Sequence, residues 1–181
     1  MTTTIVTELR SGSWEVVAER TTASFTVRNL GLIRVRGTIT VDQGTVTVED
    51  GQPVQARATL DAGSVSTGIK KRDADLAGRR FFATARHPSI HVVVDDVRPD
   101  ADADADGWTA AATLTVAGGD APLELSVRRK TDPGAGTIRV LATGVLDRSR
   151  TPIRAPRCLI GRRVIVEVDA ILRPVPTSRG R

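Results

Sequence analysis

The sequence predicts an all-β protein of a single domain, and three observations predict it. Apolar and polar residues alternate in short runs along nearly the whole chain, the pattern of strands with one buried face. The chain is 40% hydrophobic but only 3% aromatic, with no Tyr. Its apolar content is therefore Val, Ile, Leu and Ala, and the β-branched members favour strands. Sixteen Gly and nine Pro punctuate these runs with turns. At 181 residues the chain suits one domain of ordinary size with a real core. About ten short strands separated by turns fit a sandwich or a barrel, and alternation alone leaves both open.

Residues 1–12 are polar and are expected to be a mobile segment ahead of a domain spanning 13–173. A first strand is expected at 14–18. Phe25, Val27 and Asn29 share one face of the next, with Thr26 and Arg28 on the other, until Leu30-Gly31 breaks it. Ile33, Val35, Gly37, Ile39 and Val41 alternate with Arg34, Arg36, Thr38 and Thr40. Asp42-Gln43-Gly44 reads as a tight hairpin turn, with Val46 and Val48 on the return strand. Asp50-Gly51 reads as a second turn, after which Val54, Ala56, Ala58 and Leu60 face one side. Alternation stops near Gly63. One short helix is expected near residues 70–78, where Ile69, Asp73 and Leu76 share a side. A helix this short must pack on something, and a barrel mouth is the natural place.

Alternation resumes after Pro88 with Ile90, Val92 and Val94. Residues 100–107 form an acidic loop, and a strand is expected at 108–117 with Leu114 and Val116 in register. Gly118-Gly119 turns into Leu123, Leu125 and Val127, and Asp132-Pro133-Gly134 into Ile138, Val140, Ala142 and Gly144. Residues 151–161 read as a loop, Val164, Val166, Val168 and Ala170 as the last buried face, and 174–181 as a basic, proline-bearing tail.

Charge and cysteine usage narrow the function. The formal charge is +5 and the sequence pI is about 10.5, which leaves open transient contact with an anionic membrane surface. No arginine-rich helix or aromatic-interleaved basic patch is present, so nucleic acid is not an expected partner. The single cysteine, Cys158, excludes an internal disulfide. The N-terminus lacks a basic region followed by an apolar one, and no run reaches the ~20 apolar residues of a membrane helix. A soluble, cytoplasmic protein is expected, and a homodimer is left open.

Catalysis is not expected. The histidines are His87 and His91, and no nucleophile elbow or similar motif accompanies them. Cys158 beside Arg157 is weighed as a reactive thiol and set aside as incidental. Asp102-x-Asp104-x-Asp106-Gly107 matches the opening of a calcium loop, but position twelve is Thr113, which has no carboxylate. No metal site or cofactor is expected. The pair Arg72-Asp73 suits either a ligand head group at a barrel mouth or local pairing that fixes the helix. Phe81-Phe82, in an extended segment, would place at most one ring in a central pocket. The small inward candidates Ala56, Ala58, Ala112, Ala142 and Gly144 favour a cavity over a filled core.

Ser64-x-x-Thr67-Gly68, then Arg72-Asp73-x-x-Leu76, then Phe81-Phe82 and His87-Pro88-x-Ile90 together resemble the signature of the YceI-like proteins. Phe25-Thr26-Val27, Leu30-Gly31, Val35-Arg36-Gly37 and Asp147-Arg148-Ser149 fit the same pattern. The resemblance runs from about Trp14 to about Leu172. It departs at one place: Asp75 stands where the family usually has His. The resemblance implies a bacterial, lipocalin-like antiparallel β-barrel that holds a polyisoprenoid, such as an isoprenoid quinone or polyprenyl lipid, in an apolar pocket. The candidate pocket residues are Phe25, Val27, Ile33, Val35, Ile39, Leu60, Leu76, Phe81, Phe82, Ile90, Val92, Leu114, Leu125, Val140 and Val166, with Arg72 and Asp73 at the mouth. The alternative is a filled-core β-domain acting in protein interaction or stress response without a lipid.

Overall fold

Residues two apart on a strand share a face, and in the computed structural model those apolar faces close on one another. The structure describes residues 9–30, 32–101, 106–130, 134, 136–155 and 160–176. Among them are nine strands: β1 Gly12–Val16, β2 Thr22–Asn29, β3 Ile33–Glu49, β4 Gln52–Ser66, β5 Ser89–Pro99, β6 Gly107–Val116, β7 Gly119–Lys130, β8 Ile138–Asp147 and β9 Ile160–Pro174. One α-helix, α1 Lys70–Ala77, lies between β4 and β5. All pairings are antiparallel, in the order β3-β2-β9-β8-β7-β6-β5-β4, and β4 pairs back onto β3. Eight strands thus close a barrel, which removes the free edges a sandwich would leave.

The extra strand β1 continues β2. Both lie between β3 and β9, and a 3-10 turn at Ala18–Arg20 separates them. The interruption is sutured to β9: the Val17 N–H donates to the Ile171 carbonyl at 2.8 Å, and the Ile171 N–H donates to Thr21 Oγ1 at 3.2 Å.

The hairpin turn expected at Asp42-Gln43-Gly44 is not there. These residues lie inside the 17-residue β3, where the register with β4 shifts between Val41 and Gln43. Asp42 and Gln43 both face solvent. This bulge moves the inward set from Val35, Gly37 and Val41 to Gly44, Val46 and Val48. Gly44 is small because a Cβ there would stand 2.6 Å from Val16 Cγ2. The hairpin into β4 is made by Asp50-Gly51, with φ of 48° and 75°, the two positive values of a type I′ loop. Ala117 and Gly118, at 51° and 79°, make the same kind of loop between β6 and β7, one residue earlier than the Gly118-Gly119 expected.

The two ends of the barrel differ. At one end Trp14, Val48, Ile138 and Leu172 are buried in a cluster, with Leu9 and Val140 packed against it. The Trp14 indole N–H donates to the Arg10 carbonyl at 2.9 Å, and that of Trp108 to Gln52 Oε1 at 2.8 Å. Residues 9–12, expected to belong to a mobile segment, therefore join the closed end; residues 1–8 lie outside the described residues. In the tail, the Val175 N–H donates to the Ser13 carbonyl at 2.8 Å, and residues 177–181 lie outside the described set. The opposite end is formed by the turn after β2, the segment 66–89 containing α1, the β6–β7 loop, and residues 147–155. It stays open.

Candidate functional site

At the closed end Trp14, Val48, Ile138 and Leu172 are buried against one another, while the inward residues nearer the open end leave space between them. The space left between them is a cavity of about 1020 Å³. Its walls are Phe25 and Val27 of β2, Ile33, Val35 and Ile39 of β3, Leu60 of β4, Ile90 and Val92 of β5, Leu114 of β6, Leu125 of β7 and Val166 of β9. Leu76 of α1 and the following Phe81 and Phe82 complete it at the mouth. Every apolar residue named from the sequence except Val140 lines this one space. Val140 pairs with Arg129 and Ala170 near the start of β8, which sets it in the closed-end cluster. Two residues further along β8, Ala142 reaches the cavity.

Both phenylalanines face the cavity, contrary to the expectation that at most one would. Opposite orientation requires an extended segment, and residues 79–82 are turns. The Phe82 N–H donates to the Leu76 carbonyl and the Ala83 N–H to that of Gly78, both at 3.0 Å, and Ala83 takes a φ of 50°. This folded-back segment turns two successive rings the same way.

Arg72 and Asp73 divide. The Asp73 carboxylate accepts from the Thr67 N–H at 2.8 Å and the Thr67 hydroxyl at 2.5 Å. Arg72 donates through Nε to Thr67 Oγ1 at 2.6 Å and through Nη2 to the Thr67 carbonyl at 3.0 Å. The Thr67 hydroxyl bond, then the Thr67 N–H and the Arg72 charge, hold the Asp73 carboxyl below the usual carboxylate range against the opposing effect of burial. Arg72 and Thr67 line the cavity mouth. Asp73 does not, so its place as a head-group contact is corrected to a structural one: it fastens the Ser66–Thr67 turn to the first turn of α1. Asp75, the point of departure from the family signature, does line the mouth, as do Arg79, Arg80 and Arg154. The Arg154 N–H donates to the Arg80 carbonyl at 2.8 Å, tying the two mouth segments together.

Arg148 of the Asp147-Arg148-Ser149 motif also belongs to the cavity wall. Arg148 is only 7% exposed and donates to the carbonyls of Gly161, Ile153 and Ile160 at 3.3, 3.2 and 3.1 Å. A guanidinium has donors enough to serve three carbonyls at once, and this one ties Ile153 to Ile160 and Gly161 at the barrel rim. Next to it the Asp147 carboxylate takes Arg162 Nη2 at 2.7 Å and the Ser149 hydroxyl at 2.6 Å. Those two bonds hold its pKa far below the ordinary range.

The other candidates lie elsewhere. The His87 ring packs on Gly118, where an added Cβ would stand 2.5 Å from its Cε1. His91 is exposed, with Nδ1 3.3 Å from Thr59 Oγ1. Asp102, Asp104 and Cys158 lie outside the described residues, while Thr113 is a strand residue paired with Val93 and Pro122, remote in conformation from a calcium loop.

Comparison with known proteins agrees with this geometry. The family model described as a YceI-like domain matches residues 14–172. No curated protein sequence matches the chain. Among solved structures, Burkholderia cenocepacia BcnA superposes with a TM-score of 0.73 at 16% identity, covering 86% of this chain and 98% of that one. A polyisoprenoid binding domain from Saccharophagus degradans, implicated in plant cell wall breakdown, gives 0.65 at 17%, covering 90% and 98%. The Campylobacter jejuni YCEI protein gives 0.61 at 16%, covering 75% and 79%.

Proposed function

The chain belongs to the YceI-like family, and from that premise we propose that it binds and carries an amphiphilic polyisoprenoid, an isoprenoid quinone or a polyprenyl lipid, inside the barrel. The observation that carries this reading is the cavity: about 1020 Å³, walled by aliphatic side chains and Phe rings, closed at one end and open at the other. Pockets for drug-sized ligands run to ~300–1,000 Å³, so this space suits a long, thin, apolar guest. Each 100 Å² or so of isoprenoid chain withdrawn from water contributes about 2.5 kcal/mol, so shape and apolarity suffice to hold it. The polar atoms at the mouth leave a head group in contact with Arg72, Asp75 and Arg154 while the chain fills the barrel. The reading is one of sequestration without turnover. A filled-core domain would need side chains where this cavity stands.

Native mass spectrometry and lipid extraction of protein purified from its source test the proposal, with farnesol titration of delipidated protein beside them. A co-purifying isoprenoid, or stoichiometric uptake of farnesol, is the expected result. A barrel that carries no lipid and takes up none ends it.

A further inference from the structure

The outer surface of the open end carries two features that extend beyond the cavity. The first is apolar. At the tip between β2 and β3, Leu30 is 57%, Leu32 90% and Ile33 58% exposed, and Ile69, at the start of α1 on the same end, is 52% exposed. Single exposed aliphatic residues need no explanation. A strand tip whose large side chains are mostly bare, beside the entrance to an apolar cavity, marks a contact surface.

The second feature is charge. In the segments 28–34, 66–89, 147–155 and 160–163, Lys and Arg outnumber Asp and Glu by thirteen to three. The side chains of Arg34, Arg79, Arg80, Arg86, Arg154 and Arg163 have no carboxylate partner among the described residues. At the closed end the two signs are interspersed: Arg98 pairs with Asp96, Arg128 with Asp100 and Arg173 with Glu15. The excess of positive charge thus sits around the mouth, at the same end as the bare aliphatic tip.

We propose that the open end docks on an anionic phospholipid bilayer, with Leu32 and its neighbours among the head groups and the arginines on lipid phosphates. Aliphatic side chains on a basic surface partition into the interface by burial and by attraction to anionic lipid together, and guanidinium groups match phosphate oxygens in geometry. Leu30 and Ile33 belong both to the tip and to the cavity wall, so the docked barrel presents one continuous apolar path from membrane to interior. What passes along that path rests on the carriage proposed above; the docking itself does not.

Flotation with vesicles of phosphatidylcholine and phosphatidylglycerol at about three to one, against phosphatidylcholine alone, tests it without any isoprenoid present. Binding is expected to the anionic vesicles and to fall with salt, as the Debye length shrinks from about 10 Å at 0.1 M to about 3 Å at 1 M. Leu32→Glu should weaken partition about tenfold or more. Because Leu32 does not line the cavity, the variant should melt as the parent does and still take up farnesol in solution. Arg34→Glu, which leaves the tip intact, should lose the preference for anionic vesicles. Absence of vesicle binding, or binding indifferent to Leu32→Glu and Arg34→Glu, overturns the proposal. So does a protein dimer in sedimentation that Leu32→Glu dissociates while vesicles go unbound, since the tip would then be a surface for a second copy. Loss of farnesol uptake by the parent with vesicle binding intact would instead sink the carriage reading alone.

Discussion

Thr67 is the residue on which the entrance is built. Its N–H and hydroxyl go to Asp73, and its hydroxyl oxygen and carbonyl accept from Arg72. The folded-state Asp73 carboxyl sits below its ordinary value, so the stability it contributes is present in full above the unfolded value, about pH 3.9, and is lost as pH falls through the lower folded value. Asp73→Ala should be less stable than the parent in urea at pH 7, the gap should narrow as pH drops below about 4, and the Thr67 amide should lose hydrogen-exchange protection. A gap of constant size in acid would remove the electrostatic account. Arg148 offers the other residue-scale test. Replacing it by Met leaves three rim carbonyls without their charged donor, and a stability loss of roughly 3 kcal/mol is expected from denaturant midpoints. Local pairing that fixes the helix was one of the two readings the sequence left for Arg72-Asp73, though Thr67 as the partner was not legible. The motif placed Asp147-Arg148-Ser149 in order, but the carbonyls that Arg148 serves lie on segments brought to it by folding.

Strands and turns follow local rules, and most were legible for that reason. The faces of β2, β5, β7 and β9, and the helix at 70–77, follow the period of the sequence. Where reading failed, the residue types suited two structures. Asp42-Gln43-Gly44 has the composition of a turn, yet the glycine is there to admit Val16. Glycines on this sheet are spacers of two kinds, and substitution tells them apart. In Gly144→Ala the new Cβ would stand 2.5 Å from the Glu124 carbonyl oxygen, backbone of the paired strand that cannot yield, and the loss of stability expected in thermal denaturation is about 1–3 kcal/mol. In Gly37→Ala it would stand 2.4 Å from Phe25 Cζ, the end of a side chain bordering empty space. The ring should swing into the cavity, so farnesol affinity should fall while the melting temperature changes little. Equal destabilisation of both variants would count against this distinction.

For the whole molecule the question is whether the barrel is hollow, and Ala142 answers it. It pairs with Val127 and Val168 and lines the cavity; Leu141, its neighbour, does not. Ala142→Phe should therefore fold, fill the space and weaken isoprenoid uptake about tenfold or more, since the guest loses volume it needs. A solid core would answer with overpacking of about 1–3 kcal/mol instead. Leu141→Ala, on the other face, should leave uptake unchanged. Calorimetric melting and farnesol titration on the same three proteins separate these outcomes.

The amino-acid sequence by itself determined which side chains share a face, because a pleated strand alternates at period two whatever its partners are. For the same local reason it determined the helix after Gly68 and the loop at Asp50-Gly51. Its motif order pointed to the family. Only the tertiary structure decided that the sheet closes on itself, since closure needs β2 to pair with β9, as Phe25 does with Val166, from opposite ends of the chain. Only it decided that Val140 joins the plug while Ala142 faces the cavity, and that both Phe81 and Phe82 turn inward. Distance along the barrel axis and the volume left between facing side chains arise from contacts between residues far apart in the chain, and no local period encodes them.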